Sequence, residues 1–383
     1  VPGPAPSALH YYWPHASGLC HLMVWRPSSS FTNAPVAIIV HGGLGYNPGI
    51  RAMTTNTMPD GQKIDAAMEA LSALGWVVIS IDYPACSSNL FELSSGGAVT
   101  NRYLGTYNEI SPVASWPEQA AYLALAVQYV KTHWSAVSGS DHSPIAATLW
   151  GAGNSINPSF VHLYGNSWGG TMALYVALQP SGYYPFGDAL GLNVADQYWP
   201  RASHRVTSVS FTSPQIDLTQ MYVDTGVTSP LGVIYQDDRL QPFMRTEGGR
   251  KWSELPMWEK KRSPWWILQE GHTENNNIAF FGEFIGTGAG AGWDTNLTAA
   301  DWSPGSVRSD VAGQKAWVDP HDGRIQGSPW KQALLSYGTA GCAMRSSIVK
   351  WAGSGSESPL YGTSTVYATN FVNWLRALGY PNT

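Results

Sequence analysis

The sequence predicts an α/β fold in which a mostly parallel sheet carries helices on both faces. In the first half of the 383 residues, short apolar runs alternate with longer runs of helical periodicity. Strands that alternate with helices in this way pair in parallel and become covered on both sides. A second indication is a Gly-x-Ser-x-Gly motif that stands between one apolar run and one helical run.

The N-terminal half supplies most of the expected strands. Each is a short run rich in Val, Ile and aromatic residues that ends at Gly or Pro, as buried strands do. The runs are HLMVWRP (His21–Pro27), PVAIIVHGG (Pro35–Gly43), WVVISIDYP (Trp76–Pro84), FVHLYG (Phe160–Gly165) and RVTSVSFTSP (Arg205–Pro214).

Three helices are expected between these strands. KIDAAMEALSALG (Lys63–Gly75) has helical spacing and ends at a glycine that can cap it. WPEQAAYLALAVQYVKTHW (Trp116–Trp134) reads as a long amphipathic helix with proline near its first turn. GTMALYVAL (Gly170–Leu178) follows the Gly-x-Ser-x-Gly motif directly.

An insertion is expected to interrupt this pattern. Periodicity is lost in a Trp-, Gly- and Asn-rich stretch at 217–311, which is too long for a single loop. We interpret it as a cap or lid between the first part of the core, 1–216, and the last part, 312–383. That last part contains a helical run, the strand-like run RSSIVKWAG (Arg345–Gly353) and a closing helical run, TVYATNFVNWLRALG (Thr365–Gly379).

Composition excludes several classes of function. Charged residues are only 12% of the chain, about half the usual share, and the net charge is −5, so nucleic-acid binding has little support. No apolar run approaches the ~20 residues of a membrane span. The low charge and the 18 Trp and 19 Tyr residues favour a secreted or extracytoplasmic protein. No residue pattern implies a metal or an organic cofactor.

The Gly-x-Ser-x-Gly motif points to a nucleophilic serine. Ser167 lies between the expected strand and the expected helix, so it would occupy a strained turn above the sheet. Gly165 and Gly169 lack the β-carbons that would clash where strand and helix approach each other. The backbone N–H of Trp168 is then directed towards the reacting oxygen.

A second glycine motif could complete an oxyanion hole. His41-Gly42-Gly43 follows an apolar strand, and small residues there let backbone N–H groups approach a substrate carbonyl. Together the two motifs resemble the α/β-hydrolase superfamily, especially its esterase branches with a His-Gly-Gly loop. The resemblance covers about 36–215 and about 315–380.

The resemblance implies a serine hydrolase that cleaves carboxylic esters through an acyl-enzyme on Ser167. The N–H groups of Gly43, Leu44 and Trp168 would form the oxyanion hole, and His41 would support its loop. Because the chain as a whole is poor in charge and the insertion is rich in aromatic residues, we expect a neutral substrate: an apolar, aromatic or sugar-linked ester, either a small molecule or attached to a polymer.

The resemblance also implies an acid after the seventh strand and a histidine after the eighth. Asp322 lies at the place of the acid, with Asp319 as a weaker candidate. At the place of the histidine stands Ser356, and no histidine follows His321. Serine cannot replace the histidine, because its hydroxyl is not a base near neutral pH.

Three explanations stay open. The base could come from elsewhere, either from His321 beside Asp322 or from His272 in the insertion. The strand register could differ, with Asp238 as the acid and His272 as the base, or more loosely Glu274 with His321. The triad could be disabled, which would make the chain a binding module or a variant that has lost its histidine, with feeble residual hydrolysis.

Overall fold

The computed structural model describes a large part of the sheet and the helices that cover it. In five of the strands defined below, β1, β5, β6, β9 and β10, only the backbone is described. The described residues are 10–11, 21–42, 71–81, 83, 92–93, 99–100, 118–139, 143–166, 168–178, 203–212, 214, 264, 279–286, 347–352, 372–373 and 375–381.

Eight of the described strands form one mixed sheet, in the order β1-β2-β4-β3-β7-β8-β9-β10. Strand β2 pairs antiparallel with β1 and with β4, and all later neighbours pair in parallel. Strands β5 and β6 pair with each other in a separate two-stranded sheet. The strands are β1 (His10–Tyr11), β2 (His21–Trp25), β3 (Ala34–Val40), β4 (Val77–Ile81), β5 (Glu92–Leu93), β6 (Val99–Thr100), β7 (Ile156–Asn166), β8 (Ser208–Thr212), β9 (Ala279–Gly286) and β10 (Ser347–Ala352).

The centre of the sheet is buried on both faces, as a continuous apolar run predicts. Every residue of β3 is buried. Because successive side chains of a strand point to opposite faces, Val36 and Ile38 join one hydrophobic cluster, whereas Ala37 and Ile39 join another. The sheet therefore separates two cores.

Helices α1 (Glu118–Thr132) and α3 (Trp168–Leu178) contribute to the first core. The sequence predicts an amphipathic α1, but this helix is buried on all sides from Gln119 to Val130, so the prediction of a solvent-facing side was wrong. The reason lies in its composition: this part of the helix has no charged residue, and even its two glutamines are buried. A further helix, α2 (Ser143–Trp150), was not predicted.

The second core contains two helix ends that are closed in the same way. Gly75 and Gly379 both adopt positive φ, 86° and 80°. In each case the residue after the glycine, Trp76 or Tyr380, donates its N–H to a carbonyl five positions back, at Leu71 or Leu375. Glycine favours this left-handed conformation because it lacks a β-carbon. The predicted glycine cap at Gly75 is confirmed, and the closing run has the same cap at Gly379.

The strand predictions in the N-terminal half are confirmed as β2, β3, β4, β7 and β8, and the predicted closing strand is confirmed as β10. Strand β9 (Ala279–Gly286) belongs to the main sheet although it falls within the stretch 217–311. It pairs directly with β10, the last strand. Its apolar residues were missed because glycine interrupts them and Asn- and Gly-rich sequence surrounds them.

A polar network crosses the second core. The buried imidazole of His162 on β7 hydrogen-bonds through Nδ1 to Ser208 Oγ and through Nε2 to Ser210 Oγ, each at 2.7 Å. Ser208 Oγ lies 2.5 Å from the hydroxyl of Tyr380, which stacks on Trp76. The network thus connects two strands to the C-terminal segment, and burial lowers the pKa of His162 to about 3.

This network should make stability fall in mild acid. The unfolded chain binds a proton at His162 near pH 6.5, whereas the folded chain stays neutral there until about pH 3. The stabilisation that neutral His162 gives the folded state is therefore intact above pH 6.5. It is lost at up to about 1.4 kcal/mol per pH unit as the pH falls towards 3. His162→Gln should show a flatter dependence between pH 6 and 4 in urea unfolding. Identical slopes for the two proteins would contradict this assignment.

Candidate active site

The structure confirms the strand–turn–helix arrangement around Ser167. Strand β7 ends at Asn166 and helix α3 begins at Trp168, so a single residue separates strand from helix. Ser167 itself lies outside the described residues. A connection of one residue between strand and helix has the length of a nucleophile elbow.

Two glycines permit that reversal. A β-carbon on Gly165 would collide with the carbonyl group of Gly169. A β-carbon on Gly169 would collide with the carbonyl oxygens of Val40 and His41, at the end of β3. The backbones of β7, α3 and β3 are therefore in direct contact at the turn, and the role that the sequence predicts for the two glycines is confirmed.

The end of β3 is held by a stacked pair of rings, His41 and Tyr83. The rings of His41 and Tyr83 stack with centroids 4.4 Å apart and an angle of 11° between their planes. The Tyr83 hydroxyl donates to the carbonyl of His41 at 2.9 Å, and His41 Nδ1 lies 2.8 Å from the carbonyl of Gly42. His41 is buried. It is thus engaged with its own loop, which agrees with the supporting role expected for it.

The residue after the serine is anchored in the core. Trp168 is fully buried, and its indole N–H donates to Gln119 Oε1 at 2.8 Å. Gln119 is also fully buried, in the first turn of α1. Sequence reasoning missed both Gln119 and Tyr83. The available signal for Gln119 was an uncharged polar residue directly before a run of alanine, tyrosine, leucine and valine.

Strand register brings these groups to one edge of the sheet. Val40 pairs with Gly165, Gly165 with Phe211, and Phe211 with Gly282. Because these strands are parallel, their carboxyl ends share the edge at which the elbow and the His41-Gly42 segment lie. Strands β9 and β10 end at the same edge, at Gly286 and Ala352. This is the edge at which open α/β sheets bind their ligands.

The other predicted site residues fall outside the part of the chain that the structure describes. They are Gly43 and Leu44 of the oxyanion loop, Asp322 with His321, Asp238 with His272, and Ser356.

The order of the strands bears on the open acid and base assignments. The alternative register requires a strand from the segment of Asp238 between β8 and β9. Strand β8 hydrogen-bonds directly to β9, so no such strand lies between them. His272 precedes β9 in the chain. Asp322 and His321 belong to the connection between β9 and β10.

The described residues contain neither a metal site nor a membrane span. They include no group of three His, Cys, Asp or Glu side chains that could hold a metal ion. No helix in this part of the chain is long and apolar enough to cross a membrane.

No protein-family model matches the sequence, and no curated protein matches it either. Solved structures do match. They include a truncated carbohydrate esterase from gut microbiota, with TM-score 0.52, 15% identity and coverage of 98% of this chain and 99% of that one. An acetyl ester-xyloside bifunctional hydrolase from Caldicellulosiruptor lactoaceticus has TM-score 0.54, 12% identity and coverage of 99% and 98%. Esterase 2 of Thermogutta terrifontis, phosphonylated by sarin, has TM-score 0.52, 13% identity and coverage of 98% and 96%.

The chain shares the fold of these hydrolases. The likeness extends over almost the whole length of each protein, so the fold is matched as a whole and not through one motif. At identities of 12–15% the likeness concerns the fold alone.

The glycine contacts predict a sharp difference between two kinds of substitution. Gly165→Ala or Gly169→Ala should lower the free energy of unfolding by about 3 kcal/mol or more, because rigid backbone must move. Gly139→Ala is the control: it has φ of 91° and nothing within 4 Å of an added β-carbon, so it should cost only about 1 kcal/mol of backbone strain. Urea unfolding measures all three. Equal losses at Gly139 and Gly169 would contradict the described contact.

Proposed function

We propose that this protein is a serine carboxylic-ester hydrolase with the α/β-hydrolase fold. The observation that carries the proposal is the backbone contact at the turn, where Gly165 and Gly169 allow β7, α3 and β3 to meet around the position of Ser167. The strand order, with one antiparallel strand near the start and a parallel series after it, supports the fold. The likeness to hydrolases that act on esters supports the activity.

The proposed reaction has two halves. In the first, Ser167 Oγ attacks the ester carbonyl while a base takes its proton, and the tetrahedral oxyanion accepts hydrogen bonds from the N–H groups of Trp168, Gly43 and Leu44. The intermediate collapses, the bond to the alcohol breaks and the alcohol leaves with the proton. In the second half, water attacks the acyl-enzyme with help from the same base, and the carboxylic acid is released.

We propose a neutral ester as substrate, either aromatic, apolar or linked to a sugar. Many tryptophans characterise the stretch 217–311, whose residues other than β9 we propose to cover the site, and the chain as a whole is poor in charge. Two of the similar structures are described as a carbohydrate esterase and as an acetyl ester-xyloside hydrolase, which supports a sugar-linked ester. The low charge of the whole chain supports an extracytoplasmic location.

We propose His321 as the base, oriented by Asp322. Both precede β10 and follow β9, and β9 ends at the edge of the sheet where the elbow lies. His272 is the second candidate, although it precedes β9. Imidazole is the group suited to this role because its ordinary pKa of about 6.5 lets it accept and return a proton near neutral pH.

One specific observation supports a different function. Ser356 stands where the resemblance implies a histidine, and no histidine follows His321 in the chain. If no other imidazole replaces it, the chain would bind esters on a hydrolase fold without turning them over efficiently.

Hydrolysis of p-nitrophenyl acetate separates the two functions. The wild type should turn the ester over, and Ser167→Ala should lower kcat at least about 1,000-fold, because the covalent route is lost while binding remains. Release of p-nitrophenol at equal enzyme concentration is the measurement. A wild type with neither a burst nor turnover above the Ser167→Ala variant would contradict the esterase and favour the binding module.

Single replacement of the two candidate histidines identifies the base. His321→Ala should lower kcat by about 100-fold or more, since general-base catalysis contributes roughly that much. His272→Ala should leave kcat within about twofold of the wild type. His10→Ala, on the edge strand β1, controls for loss of any imidazole. A kcat that falls in His272→Ala instead reverses the assignment, and unchanged rates in both variants would exclude both histidines as the base.

A further inference from the structure

The first turn of α3 is held on its sheet side by backbone and β-carbon contacts. Gly169 touches the carbonyl oxygens of Val40 and His41 so closely that no β-carbon fits. A β-carbon on Gly170 would lie 3.2 Å from Pro214 Cβ and 3.4 Å from Phe211 Cβ. These contacts fix how close the turn lies to β3 and β8. They do not by themselves fix how the turn is rotated about the helix axis, because glycines present no side chain that could resist rotation.

A polar contact from α1 supplies the missing constraint. The indole of Trp168 extends from the first residue of α3 into the core on the helix-covered face and donates to Gln119 Oε1 at 2.8 Å. Both side chains are fully buried. In such a place an unsatisfied donor or acceptor costs about 1–3 kcal/mol, so the two groups hold each other strongly. A rigid ring whose N–H is held in this way resists rotation of the turn to which it is attached.

The rotation of this turn matters for the chemistry. The N–H of Trp168 belongs to the peptide bond that joins Ser167 to Trp168, and it is one of the proposed oxyanion donors. Such donors act when they lie 2.7–3.1 Å from the developing oxyanion, and a misplacement of about 1 Å can cost roughly 100-fold in rate. A residue that fixes the indole therefore fixes the donor.

We propose that Gln119 is a positioning residue for the oxyanion hole, which it orients through its hydrogen bond to the Trp168 indole. The inference rests on the proposed function, because it assigns Gln119 to the transition state of ester hydrolysis. It predicts that the bond contributes to kcat and not to substrate binding, since the oxyanion exists only in the transition state.

The test compares three glutamine variants on p-nitrophenyl acetate. Gln119→Met keeps the length of the side chain but removes the acceptor, and it should lower kcat about 10-fold with KM within about twofold. Gln119→Glu restores an oxygen acceptor and should recover most of kcat. Gln128→Met is the matched control, because Gln128 lies on the same helix and is also buried. The kcat of Gln128→Met should stay within about twofold of the wild type, although its melting temperature should fall, as that of Gln119→Met should.

A second variant decides the matter if Gln119→Met does not fold. Trp168→Phe removes the indole donor but keeps an aromatic ring, and it should show the same loss in kcat at unchanged KM. The double variant should be no slower than either single variant, because both substitutions break one bond. Unchanged kcat in the variants that fold would overturn the inference, as would an equal loss in Gln128→Met.

The two proposals fail in different ways. A wild type without hydrolysis removes the proposed function and this inference together. A wild type that hydrolyses the ester, with Gln119→Met and Trp168→Phe equally fast, removes the inference and leaves the proposed function standing.

Discussion

The backbone contact between Gly169 and the end of β3 is the constraint on which the candidate site depends. It requires that a helix begin one residue after a strand ends and that its first turn rest on the carbonyl oxygens of Val40 and His41. No side chain could provide so close an approach. The two motifs, which stand far apart in the sequence, therefore meet through their backbones at the carboxyl edge of the sheet.

Side chains then hold what the backbone has brought together. On one side Tyr83 stacks on His41 and binds its carbonyl, and on the other Gln119 binds the indole of Trp168. Both contacts are buried polar interactions, in which loss of one partner costs more than the bond itself gives. In the opposite core, His162 joins β7 and β8 to the C-terminal segment by the same kind of interaction. The site thus rests on a few directional bonds within an apolar scaffold.

The sequence was most informative where one local rule decides the structure. The strands around Val36 and Val78, the cap at Gly75 and the elbow glycines follow from apolar runs and from the absence of a β-carbon. It was least informative where long-range packing decides. The sequence of β9 is too irregular to show a strand periodicity. Helix α1 has no exposed side from Gln119 to Val130, because even its two glutamines are buried in the core. The bond from Gln119 to Trp168 joins two helices that are far apart in sequence, so no local pattern could reveal it.

Covalent labelling tests the central claim, that this packing produces an activated serine, most directly. Incubation of the wild type with a fluorophosphonate, followed by proteolysis and mass spectrometry, should give a single adduct on the peptide that contains Ser167. An ordinary serine hydroxyl does not react, because it needs a base and an oxyanion hole to attack phosphorus. No adduct in the wild type, or an adduct on a different serine, would contradict the claim.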